Sequence, residues 1–333
     1  PHCADWFRGG LHAGPLAARQ PGSSSRMIRS ALVLLCLCVP SIAVAQPKPG
    51  GALPPPAFEP DTSPLMSWGD LTGRALPSPT QTIRIGNGET DIVDLWLPEG
   101  EGPHPAILMI HGGCWQKSIA DRTLMNYVAE ALRTEGMAVW NIEYRGIDEA
   151  GGGYPGTFQD VARAVDALAA QGATYGFDTS RIVAFGHSAG GHLSLWAAGR
   201  DRLPENSVLR TDEPAPIYGV VNSGGLADLE ASEPVTLPSC LAGVIGKLRG
   251  PEGFAETSPA ELLPLNVRQV SVNATRDRIA PPFLGEQWTL KAELAGDEAQ
   301  YVEVPGGHVE LISPGTPAFA TQVEVIRDLF AEE

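Results

Sequence analysis

A serine between two glycines has the residue types and spacing best suited to chemistry in this sequence. Residues 186–190 read GHSAG; they follow a short apolar run at 181–185 and open a helical pattern at 189–198. A G-x-S-x-G pattern between a strand and a helix is typical of a sharp turn that exposes the serine hydroxyl. The helix N-terminus behind that turn favours developing negative charge. We therefore predict that Ser188 is a nucleophile.

A serine hydroxyl needs a base, and histidine is the usual one. Where this motif occurs, the chain order is serine, then a carboxylate, then histidine. Only His192 and His308 follow Ser188 in the sequence. His192 falls within the helical pattern after the serine, on the side away from an approaching base. His308 comes after the last strand pattern, in a Gly-Gly-His loop, so we predict that His308 is the base.

The histidine needs an orienting carboxylate, which in this arrangement follows the penultimate strand. The strand pattern at 267–272 is followed closely by Asp277. Asp297 and Glu310 remain alternatives, the first just before the last strand and the second close to His308. Asp277 is the favoured candidate because of its position after that strand.

A glycine loop follows another buried strand pattern, at 106–110. Residues 111–115 read HGGCW, and glycine lets the backbone approach a substrate carbonyl closely. We predict that the backbone N–H groups of Gly113, Cys114 and Ala189 bind the oxyanion, each contributing about 3 kcal/mol to transition-state stabilisation. His111 is expected to brace this loop.

Aromatic residues near these motifs are candidates for a substrate pocket. They are Trp115, Tyr144, Tyr154 and Trp196. The helical spacing of Trp196 from Leu193 favours packing against the sheet. Of the four, we predict that only Trp115 lines the pocket.

The elements that must position these residues alternate between strand and helix. Residues 82–85 and 92–97 predict a hairpin around the turn at 86–88. Further strands are predicted at 106–110, 137–142, 181–185, 217–221, 267–272 and 301–304, and helices at 121–133, 158–170, 189–198 and 316–330. This alternation predicts a mostly parallel sheet with helices on both faces. Residues 230–257 interrupt it and form either a small cap or a long connection.

The composition and the first eighty residues restrict the setting. The 333 residues carry a formal net charge of -16, which excludes a nucleic-acid partner that needs a basic surface. Residues 1–26 show no periodic pattern and resemble an upstream extension. Residues 27–45 have the positive start, short apolar run and small-residue site of a signal peptide, with cleavage near Ala45. We therefore expect export.

The rest of the chain divides into two parts. Residues 46–80 are predicted as a proline-rich arm and 81–333 as the catalytic domain, with no apolar stretch long enough to span a membrane. Cys114 and Cys240 are the cysteines beyond residue 45; the sequence leaves open whether they pair or stay as buried thiols.

Taken together, the motifs resemble a known family. HGGxW at 111–115 and GHSAGGH at 186–192 are similar to the kynurenine formamidase and hormone-sensitive-lipase-like branch of the α/β-hydrolases, and most of all to its BD-FAE-like esterases. Residues 151–160 and 307–312 also resemble that group, so the likeness covers about residue 68 to the end. It implies an α/β-hydrolase fold and a triad of Ser188, Asp277 and His308. Cys114 stands where many relatives have a third glycine.

Several functions are compatible with these residues. We expect a serine hydrolase that cleaves small carboxylic esters through an acyl-enzyme, without metal or organic cofactor. The alternatives are an arylformamidase, a prolyl-oligopeptidase-like peptidase and a non-catalytic binding module. The predicted export argues against the formamidase, and the complete set of triad residues argues against the binding module. The oligomeric state is left open.

Overall fold

A single sheet runs through the part of the chain that the computed structural model describes, residues 63–240 and 243–331. In chain order its strands are β1 (Gln81–Arg84), β2 (Ile92–Trp96), β3 (His104–Ile110), β4 (Ala138–Ile142), β5 (Phe177–His187), β6 (Gly219–Ser223), β7 (Arg268–Ala274) and β8 (Ala299–Val304). Across the sheet they lie in the order β1-β2-β4-β3-β5-β6-β7-β8. β2 runs antiparallel to both β1 and β4, and the strands from β4 to β8 are parallel.

Helices cover both faces of this sheet. They are α1 (Trp68–Thr72), α2 (Asn126–Thr134), α3 (Gly156–Gln171), α4 (Ala189–Ala198), α5 (Leu229–Cys240), α6 (Pro282–Ala295) and α7 (Pro317–Ala331). The buried side chains of α3, α4 and α6 share one apolar layer, and those of α1, α2 and α7 share the other. This arrangement confirms the predicted α/β-hydrolase class of fold.

The central strand β3 shows why the sequence forms such a sheet. Leu108 and Ile110 belong to one apolar layer, whereas Ile107 and Met109 belong to the other, and all are fully buried. Successive side chains of a strand point to opposite faces, so a strand covered on both faces is apolar throughout. The continuous apolar run of this strand therefore places it in the middle of the sheet.

Several predicted elements need comment. The hairpin is confirmed by the antiparallel pairing of β1 with β2. Residues 63–80, predicted as part of an arm, instead contain α1, whose Leu71 is fully buried against the sheet domain. Residues 230–257 hold most of α5 and a 3₁₀ turn at Ile245–Leu248. Helix α6 was not predicted.

The predicted extension at 1–26, the predicted signal peptide at 27–45 and the first part of the predicted arm, 46–62, lie outside the described residues. Among the helices of the described ranges, none has the length and apolar character needed to cross a bilayer.

Candidate active site

Ser188 stands on a tight turn between β5 and α4. Its φ of 56° lies in the left-handed region, which residues other than glycine rarely adopt. A Cβ at Gly186 would lie 2.0 Å from the carbonyl oxygen of Gly190, and one at Gly190 would lie 2.1 Å from that of Ile110. The flanking glycines are therefore required for the close approach of the chain at this turn. The Ser188 N–H donates to the Ser223 carbonyl at 2.9 Å, which holds the turn against β6.

Asp277 and His308 form a buried pair at the same end of the sheet. His308 Nδ1 lies 2.6 Å from Asp277 Oδ2, and both side chains are almost completely buried. The other carboxylate oxygen accepts the N–H groups of Ile279 and Ala280, at 2.8 and 2.9 Å. Asp277 is thus held by three donors. With Nδ1–H donated to the carboxylate, Nε2 of His308 is the nitrogen that remains to accept a proton.

The serine and the histidine face one small cavity. Its volume is about 90 Å³, and it is lined by Trp68, Gly113, Cys114, Ile119, His187, Ser188, Ser239, Ile279 and His308. The structure therefore brings together the predicted nucleophile, the predicted base and two of the predicted oxyanion donors, with Asp277 behind His308. Larger depressions elsewhere on the described surface contain neither Ser188 nor His308.

The two alternative acids have other contacts. Asp297 accepts the backbone N–H groups of Leu265 and Asn266, both at 2.8 Å. Glu310 accepts the backbone N–H groups of Met66 and Gly307. Each carboxylate therefore stabilises backbone and does not orient the His308 ring.

The glycine loop lines the cavity through Gly113 and Cys114. Gly113 has a φ of 103° and Cys114 a φ of 53°, so the backbone turns sharply after β3. Within residues 63–240 and 243–331, the N–H groups of Gly113, Cys114 and Ala189 have no acceptor among the hydrogen bonds formed. Unpaired N–H groups beside a nucleophile are the donors that stabilise an oxyanion.

A buried contact between His111 and Glu143 supports this loop. His111 Nδ1 lies 2.7 Å from the Gly112 carbonyl oxygen, and Nε2 lies 2.9 Å from Glu143 Oε1. Burial alone would raise the pKa of Glu143, but hydrogen bonds from His111 and Lys117 outweigh it and lower that pKa to about 2. The pair fixes the peptide between Gly112 and Gly113, as predicted for a bracing His111.

Cys114 and Cys240 form a disulfide, the pairing that the sequence left open. The bond joins the donor loop to the last residue of α5. Gln116 Nε2 adds a hydrogen bond of 3.2 Å to the Cys240 carbonyl. Since Ser239 lines the cavity, the segment predicted as a cap or connection contributes part of the cavity wall.

Trp115 lies in the core and does not line the cavity. Its side chain is fully buried, and its Nε1–H donates to His192 Nδ1 at 3.1 Å. His192 in turn donates from Nε2 to the Thr257 carbonyl at 2.8 Å, and burial lowers its pKa to about 4. Because the Trp115 ring lies beside a neutral core histidine, the prediction that this residue lines the substrate pocket is corrected. Trp196 is fully buried, as predicted.

Sequence reasoning missed three residues next to His308, the predicted base. His187 Nε2 donates to the His308 carbonyl at 3.1 Å, and burial beside the His308 ring lowers the pKa of His187 well below its ordinary value. Trp68 lies edge-on to both rings. A Cβ at Gly224 would lie 3.3 Å from both His308 Nδ1 and Asp277 Oδ2. Only His187, inside the GHSAG motif, carried a sequence signal.

No group of three or more histidine, cysteine or carboxylate side chains in the described ranges is arranged to hold a metal ion.

Comparison with known proteins places this site in a family context. Residues 93–247 match the BD-FAE family model. Over 242 residues the chain is 26% identical to the esterase LipC of Mycobacterium tuberculosis, an alignment that covers 68% of this chain and 58% of LipC. The chain thus spans somewhat more than half of the length of that relative.

Solved structures agree on the fold. A truncated carbohydrate esterase from gut microbiota superimposes with a TM-score of 0.63 at 21% identity, covering 78% of this chain and 99% of that one. Esterase B from Lactobacillus rhamnosis gives a TM-score of 0.66 at 21% identity, covering 77% and 88%. The chain therefore has the α/β-hydrolase fold. It is similar to proteins named esterases, and its residues 93–247 match the BD-FAE family model.

Proposed function

We propose that this chain hydrolyses small carboxylic esters through an acyl-enzyme formed on Ser188. The observation that carries the proposal is the Asp277–His308 pair, held at 2.6 Å on the cavity that Ser188 also lines. Gly113 and Cys114 of the glycine loop line the same cavity, and their backbone N–H groups have no acceptor within the described residues. A nucleophile, a base with its orienting acid and an oxyanion site are the parts that acyl transfer needs.

In the first half of the reaction, His308 Nε2 takes the Ser188 hydroxyl proton as Oγ attacks the ester carbonyl carbon. The carbonyl oxygen becomes an oxyanion and accepts hydrogen bonds from the N–H groups of Gly113, Cys114 and Ala189. The tetrahedral centre then collapses, the bond to the alcohol oxygen breaks, and His308 gives its proton to the leaving alkoxide. Asp277 stabilises the imidazolium throughout.

In the second half, water takes the place of the alcohol. His308 removes one proton from the water as its oxygen attacks the acyl carbon. Collapse of the second tetrahedral centre breaks the bond to Ser188 Oγ, which recovers the proton from His308, and the carboxylic acid leaves. No group outside the chain is consumed apart from water.

The relatives support an ester as the substrate. LipC is named an esterase, and the solved structures compared above are titled a carbohydrate esterase and an esterase. Because those proteins share about a fifth to a quarter of the aligned residues with this chain, they support the reaction class and leave the acid and alcohol groups to experiment.

A labelling and kinetic experiment tests the proposal. A fluorophosphonate should add the mass of its phosphonyl group, with loss of HF, to the unmodified chain but not to Ser188→Ala, and Ser188→Ala should lose at least about 10⁴-fold in kcat on an aryl acetate. Ser194→Ala is the matched control, since Ser194 is a buried serine of α4 outside the cavity. Full activity in Ser188→Ala, or faster turnover of N-formylkynurenine than of any ester, would overturn the proposal.

We also propose that the chain is exported, with cleavage near Ala45. The Cys114–Cys240 disulfide supports this location, because disulfides persist in oxidising compartments outside the cytoplasm. Fractionation of expressing bacteria should find the protein outside the cytoplasm with Gln46 at or near its N-terminus. A Leu34→Arg variant, which interrupts the apolar run, should stay in the cytoplasm with residues 27–45 uncleaved.

A further inference from the structure

The segment of residues 63–74, here called the strap, is hydrogen-bonded to the loop that carries His308. The Met66 N–H donates to Glu310 Oε1 at 2.7 Å. Glu310 Oε2 accepts the N–H of Gly307 at 3.1 Å. One buried carboxylate therefore joins the strap to the residue that immediately precedes the catalytic histidine.

Further contacts fix both ends of the strap. Arg276, next to Asp277, donates from Nη1 to the Ser63 carbonyl at 2.8 Å. Arg74 donates from Nη1 to the Pro314 carbonyl at 2.9 Å. Between them, the fully buried Leu71 anchors α1 to the sheet domain. The strap is thus hydrogen-bonded near both of its ends, once to the neighbour of Asp277.

These contacts of the strap place one large aromatic side chain at the cavity. Trp68 lines the cavity with Ser188, and its ring centroid lies 6.2 Å from that of His308 and 6.4 Å from that of His187, edge-on to both. Yet Trp68 keeps 40% of its surface exposed, although tryptophan is one of the side chains that gains most from burial. A half-exposed tryptophan beside a reacting histidine offers a contact surface for a ligand.

The chemistry of the reaction identifies the part of the ligand that would meet this ring. The histidine delivers its proton to the leaving alcohol, so that alcohol must lie against His308. Gly113 and Cys114, whose N–H groups are proposed to bind the carbonyl oxygen, line the same cavity. Trp68 borders His308, so it borders the leaving alcohol.

We propose that Trp68 is the wall of the leaving-group side and selects esters of aryl or other bulky apolar alcohols, and that Glu310 is the residue that positions it. This assignment rests on the proposed ester hydrolysis. A flat apolar ring gains contact area with an aromatic alcohol and little with methanol.

Two pairs of esters test the assignment. Benzyl acetate and methyl acetate differ only in the alcohol, whereas methyl butyrate and methyl acetate differ only in the acyl group. In Trp68→Ala the benzyl-to-methyl ratio of kcat/KM should fall about tenfold, and the butyrate-to-acetate ratio should stay within about twofold of that of the unmodified chain. Trp68→Phe should recover most of the benzyl-to-methyl ratio, here called the alcohol ratio. Leu76→Ala, an exposed apolar change just beyond the strap, is the matched control and should keep both ratios.

The role of Glu310 has its own readout. Glu310→Gln loses one of the two acceptor oxygens, so the alcohol ratio should fall by a smaller factor than in Trp68→Ala. In the Trp68→Ala background the same change should leave the ratio unaltered, because the ring that Glu310 positions is gone. A lower melting temperature with an unchanged ratio would overturn the positioning role.

The outcomes separate this assignment from the function on which it rests. An unmodified chain that hydrolyses none of these esters would remove the proposed function and this assignment with it. An active chain whose alcohol ratio survives Trp68→Ala, or whose acyl ratio changes in its place, would overturn the assignment and leave ester hydrolysis standing.

Discussion

Cys114 and Cys240 are joined by a disulfide whose Cα atoms lie 5.4 Å apart, although 126 positions separate them in the sequence. One partner, Cys114, belongs to the glycine loop that lines the cavity. The other ends α5, next to the Ser239 that lines the cavity. The covalent bond therefore holds the proposed oxyanion site and the opposite part of the cavity wall at a fixed separation.

Removing this bond should lower both stability and turnover. Cross-linking residues so far apart restricts the unfolded chain by about 5 kcal/mol in the chain-entropy account, of which natural disulfides commonly deliver about 2–5 kcal/mol. We expect the double variant Cys114→Ser, Cys240→Ser to lose free energy of unfolding in this range and to show a lower kcat, because the donor loop loses an anchor. Urea unfolding and ester kinetics measure both effects.

A reductant provides the control for this prediction. Dithiothreitol should move the unmodified chain toward the behaviour of the double variant and should leave the double variant unchanged. An unfolding midpoint that is identical in all four samples would show that the bond does not contribute to stability.

Changing Asp277 to asparagine should damage catalysis far more than folding. The amide oxygen can still accept the N–H groups of Ile279 and Ala280, so its NH₂ group would face His308 Nδ1. The imidazole would then carry its proton on Nε2, where it cannot accept the serine proton, and kcat should fall about 10⁴-fold. Steady-state kinetics on an aryl acetate measures the loss.

The matched control is Asp297→Asn. Asp297 is also a buried aspartate that accepts two backbone N–H groups, but it does not contact His308. This variant should lose stability and keep its turnover near that of the unmodified chain. Equal losses of kcat in both variants would contradict the role of Asp277.

Local sequence patterns were sufficient for most of the sheet and for the residues around Ser188. The apolar run of β3 is visible in the sequence because the strand is buried on both faces. The glycines at 186 and 190 are visible because a side chain there would clash with the neighbouring backbone. His308 was reached because few histidines follow Ser188. These inferences depend on chain order and on periods of a few residues.

Other features depend on contacts between distant parts of the chain or on weak patterns. Met66 and Glu310 are 244 positions apart, and no periodic pattern in the sequence predicts the hydrogen bond between them. The Trp115 side chain is buried in the core, where its Nε1–H donates to His192 Nδ1, 77 positions later in the sequence. Helix α5 contains Pro234 and Pro238, which weaken a helical pattern.

Helix α6 could not be recognised from the sequence for a different reason. Its apolar residues do not form one face: Phe283, Leu290 and Leu294 are exposed, while Leu284 and Trp288 are buried. A helix is recognised from sequence when its apolar residues form a single stripe, and this one lacks that signal.

Glu143 should make the stability of the protein depend on acid pH. Its pKa in the folded chain is about 2, below the ordinary value of 4.5, because hydrogen bonds from His111 and Lys117 outweigh the effect of burial. The stabilisation is therefore complete above about pH 4.5 and is lost as the pH falls toward 2, with a total of about 3 kcal/mol. Free energies of unfolding from urea titrations across this range should show the decline.

Glu143→Gln should remove this dependence. The variant should be less stable at neutral pH and should lose less on acidification between pH 4.5 and 2. Glu130→Gln is the control: its carboxylate pairs with Arg133 on the surface, where solvent screens the interaction, so the pH dependence should stay almost unaltered. An equal decline in the unmodified chain and in Glu143→Gln would contradict the ion pair's contribution.

Changing Trp115 to phenylalanine should separate a core residue from a pocket residue. The change removes the donor to His192 Nδ1, which is completely buried, and an unpaired buried acceptor costs about 1–3 kcal/mol. We expect that loss in the free energy of unfolding, together with unchanged benzyl-to-methyl and butyrate-to-acetate ratios. If Trp115 lined the pocket, the outcome would be reversed, with altered ratios and little change in stability. Because Trp68→Ala is expected to give the opposite pattern, the two variants measured side by side decide which tryptophan the substrate meets.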